Sequence, residues 1–183
     1  MPTLTTPAIA STTFAGAQPL LDNLRPWRQT DVPAVLEAFG NAEIQQWHVL
    51  RLDDEAEARG WVDQWAPRWS AAEAASWAIT AAGEVAGQIG LRHISLSNAT
   101  VELSYWVLPA ARGQGLAPQA IATLERWCFA LGFERIVLQH STRNQQSCRV
   151  AEKAGYALEG TLRSAWRLAD GRHDAHLHAR TTP

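Results

Sequence analysis

Apolar positions alternate with polar ones in some stretches of the chain and recur every third or fourth residue in others, so the pattern predicts an order of strands and helices. Over the first half the pattern predicts a strand at residues 24–27, helices at 30–39 and from 53 onwards, and then three meandering strands at 76–80, 84–94 and 100–108. The second of these helices is predicted to start near Asp53 and Asp54. Pro67 should end or kink it, because proline lacks the amide donor and its ring clashes with the preceding turn.

The second half alternates single helices and strands and closes with a hairpin. Gly132 and Gly155 each follow a predicted helix, where glycine commonly ends one. The order predicts a single α/β (α+β) domain with a mixed, mostly antiparallel sheet and helices on both faces. Its predicted elements are a helix at residues 118–131, a strand at 135–140, a helix at 144–154 and a pair of strands at 160–168 and 172–179.

Residues 1–19 show neither the alternation typical of a strand nor the three-to-four-residue spacing typical of a helix. They are rich in Thr, Ala, Ser and Pro, which predicts a flexible leader. The remaining residues, 20–181, have the length of one domain. We find no internal repeat in the sequence that would indicate a second domain.

Composition and charge exclude several classes of partner. The net charge is −2, whereas a nucleic-acid surface needs clustered excess Lys and Arg. No stretch approaches the roughly 20 apolar residues that cross a bilayer, and the N-terminus lacks the basic start of a signal peptide. Cys128 and Cys148 form no disulfide framework and are expected to be reduced thiols. We therefore expect a cytoplasmic protein without a nucleic-acid or membrane partner.

One Gly-rich segment between a predicted strand and a predicted helix has the features of an anion site. The first amides of a helix have no intrahelical acceptor, the helix dipole adds positive charge there, and glycines let the backbone approach a phosphate. Such a cradle works even in a net-acidic protein. The segment is neither a Walker loop nor a dinucleotide fingerprint, since it lacks Lys-Ser/Thr and a third glycine. We call it the phosphate loop; it comprises Arg112, Gly113, Gln114, Gly115, Leu116 and Ala117.

The phosphate loop matches the Arg/Gln-x-x-Gly-x-Gly/Ala signature of a known family, and residues 101–106 and 144–156 match further motifs. In these segments the chain resembles the GNAT superfamily of acetyl-CoA-dependent N-acetyltransferases, most closely its RimJ/RimL branch. The resemblance covers nearly everything except the leader. It implies a GNAT-like fold, acetyl-CoA as co-substrate without a metal, and direct transfer to a primary amine in a ternary complex. Pro118 and Gln119 depart from the family pattern just after the signature, and we expect Pro118 to weaken one phosphate contact.

The resemblance also implies roles for individual residues. Glu102 is the candidate general base, acting directly or through a water; the alternative is a structural ion pair with an arginine such as Arg92 or Arg163. Ser147 is the candidate hydrogen-bond donor to the leaving thiolate, and Asn144 approaches the pantetheine arm or caps its helix. Backbone amides near the end of the third meander strand would polarise the acetyl carbonyl. The implied acetyl-CoA site thus comprises Val107, Leu108, Arg112, Gly113, Gln114, Gly115, Leu116, Ala117 and Asn144.

Two clusters in the sequence have alternative interpretations. The histidines of residues 173–178 invite a metal site, but His176 and His178 share a strand face without further ligands at suitable spacing, so we expect polar positions on an outer strand and no metal. Trp61, Trp65 and Trp69 recur every four residues, which favours core packing over an aromatic acceptor wall.

The acceptor amine is open at this stage. A protein N-terminus would need an open groove, whereas a small-molecule amine would need a closed aromatic pocket, for which Trp47, Trp61 and Trp166 are the candidate residues. A different class of function is a non-catalytic CoA-binding sensor or scaffold; the presence of both Glu102 and Ser147 beside the loop speaks against it. We expect a monomer or a homodimer.

Overall fold

Seven strands form a single sheet in the computed structural model of the chain, which describes residues 9–14 and 18–182. The strands are β1 (Leu24–Pro26), β2 (Ala75–Ala81), β3 (Glu84–Ser95), β4 (Thr100–Val107), β5 (Arg135–Ser141), β6 (Ala157–Leu168) and β7 (Gly171–Thr181). The helices are α1 (Val32–Gly40), α2 (Ala42–Gln45), α3 (Glu55–Asp63), α4 (Trp65–Ser70), α5 (Leu116–Ala130) and α6 (Gln145–Lys153). None of these described helices has both the length and the apolar character needed to span a bilayer.

The strand order is β1-β2-β3-β4-β5-β7-β6, and β4 with β5 is the one parallel pair among the described strands. This confirms the predicted mixed, mostly antiparallel sheet. The parallel ladder pairs residues 100–103 with residues 135–138 and ends there. Beyond Leu103 and Leu138 the two strands diverge, which opens the middle of the sheet toward the carboxyl end of β4.

Alternating side chains on the strands build a core on each face of the sheet. Val101 and Leu103 of β4 belong to the larger core, which α5 and α6 cover. Trp106 belongs to the second core, with Phe39 of α1 and Trp61 of α3. Helices on both faces are therefore confirmed, and successive residues of β4 face two different layers.

The helix predicted from residue 53 is interrupted at Gln64, between α3 and α4. Pro67 is the physical cause, because its ring conflicts with the carbonyl four residues earlier, that of Asp63, where α3 ends. Pro67 itself fits in the first turn of α4. The three tryptophans at four-residue spacing consequently separate: Trp61 and Trp65 pack in the second core, whereas Trp69 packs in the larger one.

The predicted leader is wrong for residues 9–14. The segment Ser11–Phe14 is a short 3₁₀ turn, and Ile9 and Phe14 are fully buried in the larger core. The Phe14 ring packs edge-on against Trp69, with centroids 4.9 Å apart. Two apolar anchors overcome the loop-like composition of their neighbours, since each buried side chain contributes about 2 kcal/mol. Residues 1–8 and 15–17 of the predicted leader lie outside the described part.

The closing hairpin enters the sheet with its second strand inward. β7 pairs with both β5 and β6, so β6 is the edge strand. The expectation that the histidines of residues 173–178 lie on an outer strand is therefore wrong, and His173 and His178 are buried.

Candidate active site

The phosphate loop lies between β4 and α5 and holds two glycines in the left-handed region. Gly113 has φ +78° and Gly115, the N-cap of α5, has φ +75°. Non-glycine residues resist this conformation, so the two glycines set the course of the loop. Within the described residues, no backbone carbonyl accepts a hydrogen bond from the amides of residues 113–117. These amides form an unpaired row of donors at the positive end of a helix.

α5 starts two residues earlier than predicted, at Leu116 instead of residue 118. Pro118 is therefore the third helical residue, not the first. The first intrahelical bond runs from the Gln119 amide to the Gly115 carbonyl, at 3.2 Å. Pro118 thus removes only a donor that the helix itself does not use, and the amides of Leu116 and Ala117 have no backbone acceptor in the part of the chain that the structure describes.

Arg112 ties the loop to its surroundings. Its Nε donates to the Val107 carbonyl at 3.2 Å, and its guanidinium pairs with the Glu43 carboxylate of α2. α2 was not predicted from the sequence. Since Glu43 is exposed, this ion pair is a weak contact that an anionic ligand can displace.

A cleft of about 540 Å³ runs beside the loop, a volume typical of ligand sites. It extends from the start of α5 to α6 and reaches α2. Basic side chains of α6, Arg149 and Lys153, add positive charge along it. Of the sequence-predicted site residues, the cleft is lined by Trp47, Val107, Arg112, Gly113, Gly115, Leu116, Ala117, Asn144 and Ser147. The structure places Glu102, Leu108, Gln114, Trp61 and Trp166 outside this lining.

The start of α6 presents Ser147 to the cleft. The Asn144 side chain is the N-cap and accepts from the Ser147 amide at 3.0 Å, as the capping alternative predicted. The Ser147 hydroxyl is hydrogen-bonded to the Tyr105 hydroxyl at 2.9 Å. Burial raises the pKa of Tyr105 to about 12, so its phenol stays protonated at neutral pH. The sequence did not indicate Tyr105, because this contact joins β4 to a helix 42 residues later.

At the end of β4, the backbone amides of Val107 and Leu108 point to opposite edges of the strand. The Leu108 amide donates to the Ala86 carbonyl at 2.9 Å, so it is not free. Amides of successive strand residues point to opposite edges. The Val107 amide therefore points to the edge from which β5 has diverged, on the side of the cleft.

Glu102 is buried on the same face of β4 as Trp106, which lines the cleft. Arg92 donates to one carboxylate oxygen at 2.8 Å, and Gln139 donates to the other at 3.3 Å. The second oxygen also contacts Nδ1 of His93 at 2.8 Å. A bulge in β3 lets two consecutive residues reach this carboxylate, since the register shifts after Arg92 and His93 has φ +50°. Of the two alternative arginines, Arg92 is the actual ion-pair partner.

The three predicted acceptor tryptophans occupy different environments. Trp47 lines the cleft, and its ring centroid is 6.4 Å from that of His173. Trp61 is buried against Trp27 and Phe39 in the second core. Trp166 lies on the edge strand β6, opposite His173. Trp47 is thus the one of the three that faces the cleft.

His48, beside Trp47 in the cleft, provides a pH-dependent contribution to stability. Burial lowers the pKa of His48 from 6.5 to about 4, with a smaller contribution from Arg92. Between these values the unfolded chain binds a proton that the folded chain does not, so this stability is fully present above about pH 6.5 and is lost as pH falls toward 4. We expect His48→Asn to flatten the fall in Tm over this window, measured by thermal unfolding. Val49→Ala, at an exposed neighbouring side chain that does not titrate, is the control and should keep the wild-type pH dependence. An unchanged pH dependence in His48→Asn would contradict the argument.

Comparison with known proteins places this geometry among acetyltransferases. A family model described as an acetyltransferase (GNAT) domain matches residues 23–157. The ribosomal-protein-serine acetyltransferase of Escherichia coli (strain K12) is 35% identical over 98 residues, 53% of this chain and 55% of that protein. The chain spans about half the length of the curated relatives it matches.

Two solved structures are also similar. A RimL ribosomal L7/L12 alpha-N-protein acetyltransferase in complex with coenzyme A has 26% identity and a TM-score of 0.81, over 86% of this chain and 92% of that one. An acetyltransferase from Salmonella typhimurium, described as modifying the N-terminal serine of ribosomal protein L7/L12, has 25% identity and a TM-score of 0.79. The match covers 87% of this chain and 94% of that one.

Proposed function

The chain belongs to the GNAT acetyltransferase family, and we propose that it transfers the acetyl group of acetyl-CoA to the α-amine of a protein N-terminus. One observation carries the proposal: the row of unpaired amides at the start of α5 opens into the same cleft that the Tyr105–Ser147 hydroxyl pair lines. An anion site and a proton donor thus lie along one channel. The likeness to ribosomal-protein acetyltransferases supports the acceptor class and a cytoplasmic location.

The residues around the cleft fit the anionic co-substrate. Free amides of the phosphate loop match a pyrophosphate, because a helix N-terminus offers both donors and partial positive charge. Arg149 and Lys153 offer further cations along the same cleft. When bound, acetyl-CoA supplies an acetyl group on a thioester whose sulfur leaves as a thiolate.

Val107 acts on the carbonyl oxygen of the thioester, and the hydroxyl pair acts on its sulfur. The Val107 amide, which points to the open edge of β4, donates to the acetyl oxygen as negative charge develops on it. Ser147 donates its hydroxyl hydrogen toward the sulfur, and Tyr105 donates to Ser147 in turn. Because Tyr105 stays protonated, the pair can stabilise a thiolate over the whole neutral range.

Glu102 is proposed as the base that receives the proton of the acceptor ammonium through a water. It lies on the face of β4 that Trp106 shares, and Trp106 reaches the cleft. His93 offers a proton exit, since its Nδ1 contacts Glu102 and 77% of its side chain is exposed. Trp47 and His48 line the α2 side of the cleft, where the acceptor would enter.

The test of this function is CoA release from acetyl-CoA across a panel of amines. The panel contains peptides beginning with Ser, Ala or Met, the same peptides with a blocked N-terminus, free amino acids, polyamines and aminoglycosides. We expect turnover on a free N-terminus and none on its blocked counterpart. Turnover on a small amine alone would replace the proposed acceptor class. Binding of acetyl-CoA with no turnover on any amine would favour the sensor alternative.

The hydroxyl pair gives a prediction of its own. We expect Ser147→Ala and Tyr105→Phe each to lower kcat about tenfold, with little change in KM for acetyl-CoA, because each removes a hydrogen bond that strengthens only as the thiolate forms. The double variant should lose little more than either single variant, since the two hydroxyls act as one unit. Steady-state kinetics of the three variants measures this. Fully multiplicative losses would show that the two residues act separately.

A further inference from the structure

Four metal-ligand side chains from three elements meet between the sheet and α6. They are His140 of β5, Cys148 of α6, and His176 and His178 of β7. One ligand atom from each residue lies within 4.8 Å of those of all the others. Three histidines and a cysteine form a donor set that zinc prefers.

The sheet register brings these residues together. Across the β5–β7 ladder, His140 faces His176 and Leu138 faces His178, so the histidines share one side of the sheet. The ring centroid of His140 lies 5.4 Å from that of His176 and 5.1 Å from that of His178. α6 covers this side and contributes Cys148, whose Sγ is 3.9 Å from Nδ1 of His176. In the sequence only the histidines of β7 stand close together, because the other two ligands lie on separate elements.

Two of the histidines already have the tautomer that binds a metal. Nδ1 of His140 donates to the Ser141 carbonyl at 2.8 Å, and Nδ1 of His178 donates to the Tyr156 carbonyl at 3.2 Å. Since a carbonyl only accepts, each Nε2 carries a free lone pair. Both Nε2 atoms are buried and have no hydrogen-bond partner within the described part of the chain. A backbone carbonyl on the other ring nitrogen is the usual support of a metal-binding histidine.

Buried acceptors without a partner are uncommon in folded proteins, and two in one cluster point to a missing ligand. His140 is 3% exposed and His178 is fully buried. Cys148 and His176 are half-buried and form the solvent side of the cluster, which leaves a path for an ion. Glu152 accepts from the Cys148 thiol at 3.6 Å and can take up its proton.

We propose that His140, Cys148, His176 and His178 bind one zinc ion in a closed tetrahedral site. Zinc bonds of about 2.0–2.3 Å place neighbouring ligand atoms roughly 3.3–3.8 Å apart, so binding needs the cluster to contract by about 1 Å. All four positions are filled by protein, which makes the site structural. Binding converts the Cys148 thiol to a thiolate and releases one proton per ion.

The site would fix α6 against β5 and β7, and none of its four residues is among those that line the cleft. Cys148 directly follows Ser147, and Asn144 starts the same helix. A bound ion therefore holds the hydroxyl pair of the cleft in place without touching it. It also keeps the Cys148 thiol from reacting, since a coordinated thiolate in a closed site is shielded.

The experiment uses the full chain, freed of metal with a chelator, and titrates it with Co²⁺ and then Zn²⁺. We expect one equivalent of Co²⁺ to give tetrahedral visible bands and a thiolate charge-transfer band, and Zn²⁺ to displace it and raise Tm. Cys148→Ser should remove the charge-transfer band, and His178→Asn should weaken binding at least tenfold. Cys128→Ala and His173→Asn are matched controls outside the cluster and should bind as the wild type does.

A second readout does not depend on whether the variants fold. Of the two thiols, Cys128 is fully buried, so a thiol reagent should modify only Cys148 in the native wild-type protein. One equivalent of Zn²⁺ should slow this reaction at least tenfold. If the wild type shows no tetrahedral cobalt bands and no protection of Cys148, the proposal is wrong. Undiminished binding in Cys148→Ser together with His178→Asn would also refute it. Neither readout requires acetyl-CoA, so failure here leaves the proposed function untouched.

Discussion

Gly113→Val should raise the Kd for CoA roughly 10- to 100-fold, which corresponds to about 1.4–2.8 kcal/mol. Gly113 has φ +78°, and nothing lies within 4 Å of where a Cβ would stand. The substitution therefore produces no clash and acts only through the backbone. A β-branched residue resists positive φ, so the loop turns and its amides leave the direction of the phosphates. Isothermal titration with CoA measures the loss.

Gly83→Val is the matched control for this prediction. Gly83 has φ +88° and equally open space around it, but it lies in the turn between β2 and β3, outside the cleft. Both variants should lose similar stability, on the order of 1–2 kcal/mol, because both force the same conformational cost. Only Gly113→Val should lose CoA affinity. Equal affinity in the two variants would mean that the phosphate loop does not bind the co-substrate.

Local signals in the sequence predicted most of the fold. The change from a period of 2 to one of 3.6 residues located the meander, α5 and α6, because each of these elements buries one face. Asn144 marked the start of α6, since an N-cap acts on its own helix. The phosphate loop was predictable for the same reason: two glycines at a strand-to-helix turn determine the direction of their own amides.

What the sequence did not predict depends on contacts between distant segments. The residues next to Phe14 in the sequence do not show that its side chain is buried. Trp69 and Phe133, which pack against it, come from distant segments. Tyr105 contacts Ser147 only because the fold brings α6 against β4. The histidines of β7 looked incomplete because His140 comes from the neighbouring strand. Leu108 and Val107 are adjacent, yet only the ladder with β3 shows that the Leu108 amide is paired within the sheet, with the Ala86 carbonyl.

Glu102→Gln should lower kcat by roughly 10²-fold or more and leave the Kd for acetyl-CoA nearly unchanged. General base catalysis is worth about 10²–10⁴ in rate, and the amide keeps the shape of the side chain while it cannot take the proton. The carboxylate lies outside the cleft lining that faces the phosphate loop, so binding of the co-substrate does not depend on it. Steady-state kinetics with the best acceptor, together with titration of acetyl-CoA, separates the two effects.

Glu125→Gln tests whether the loss comes from catalysis or from a broken ion pair. Glu125 of α5 is also buried and also faces an arginine, with Arg180 at 3.4 Å, but it lies away from the cleft. If Glu102 serves only to pair with Arg92, both variants should lower Tm and leave kcat close to wild type, since each leaves an arginine without its partner. If Glu102 is the base, kcat falls in Glu102→Gln alone.

His93→Gln then tests whether the proton leaves Glu102 through His93. An intermediate loss of kcat supports a path through His93, and wild-type kcat means that the proton leaves Glu102 by another route.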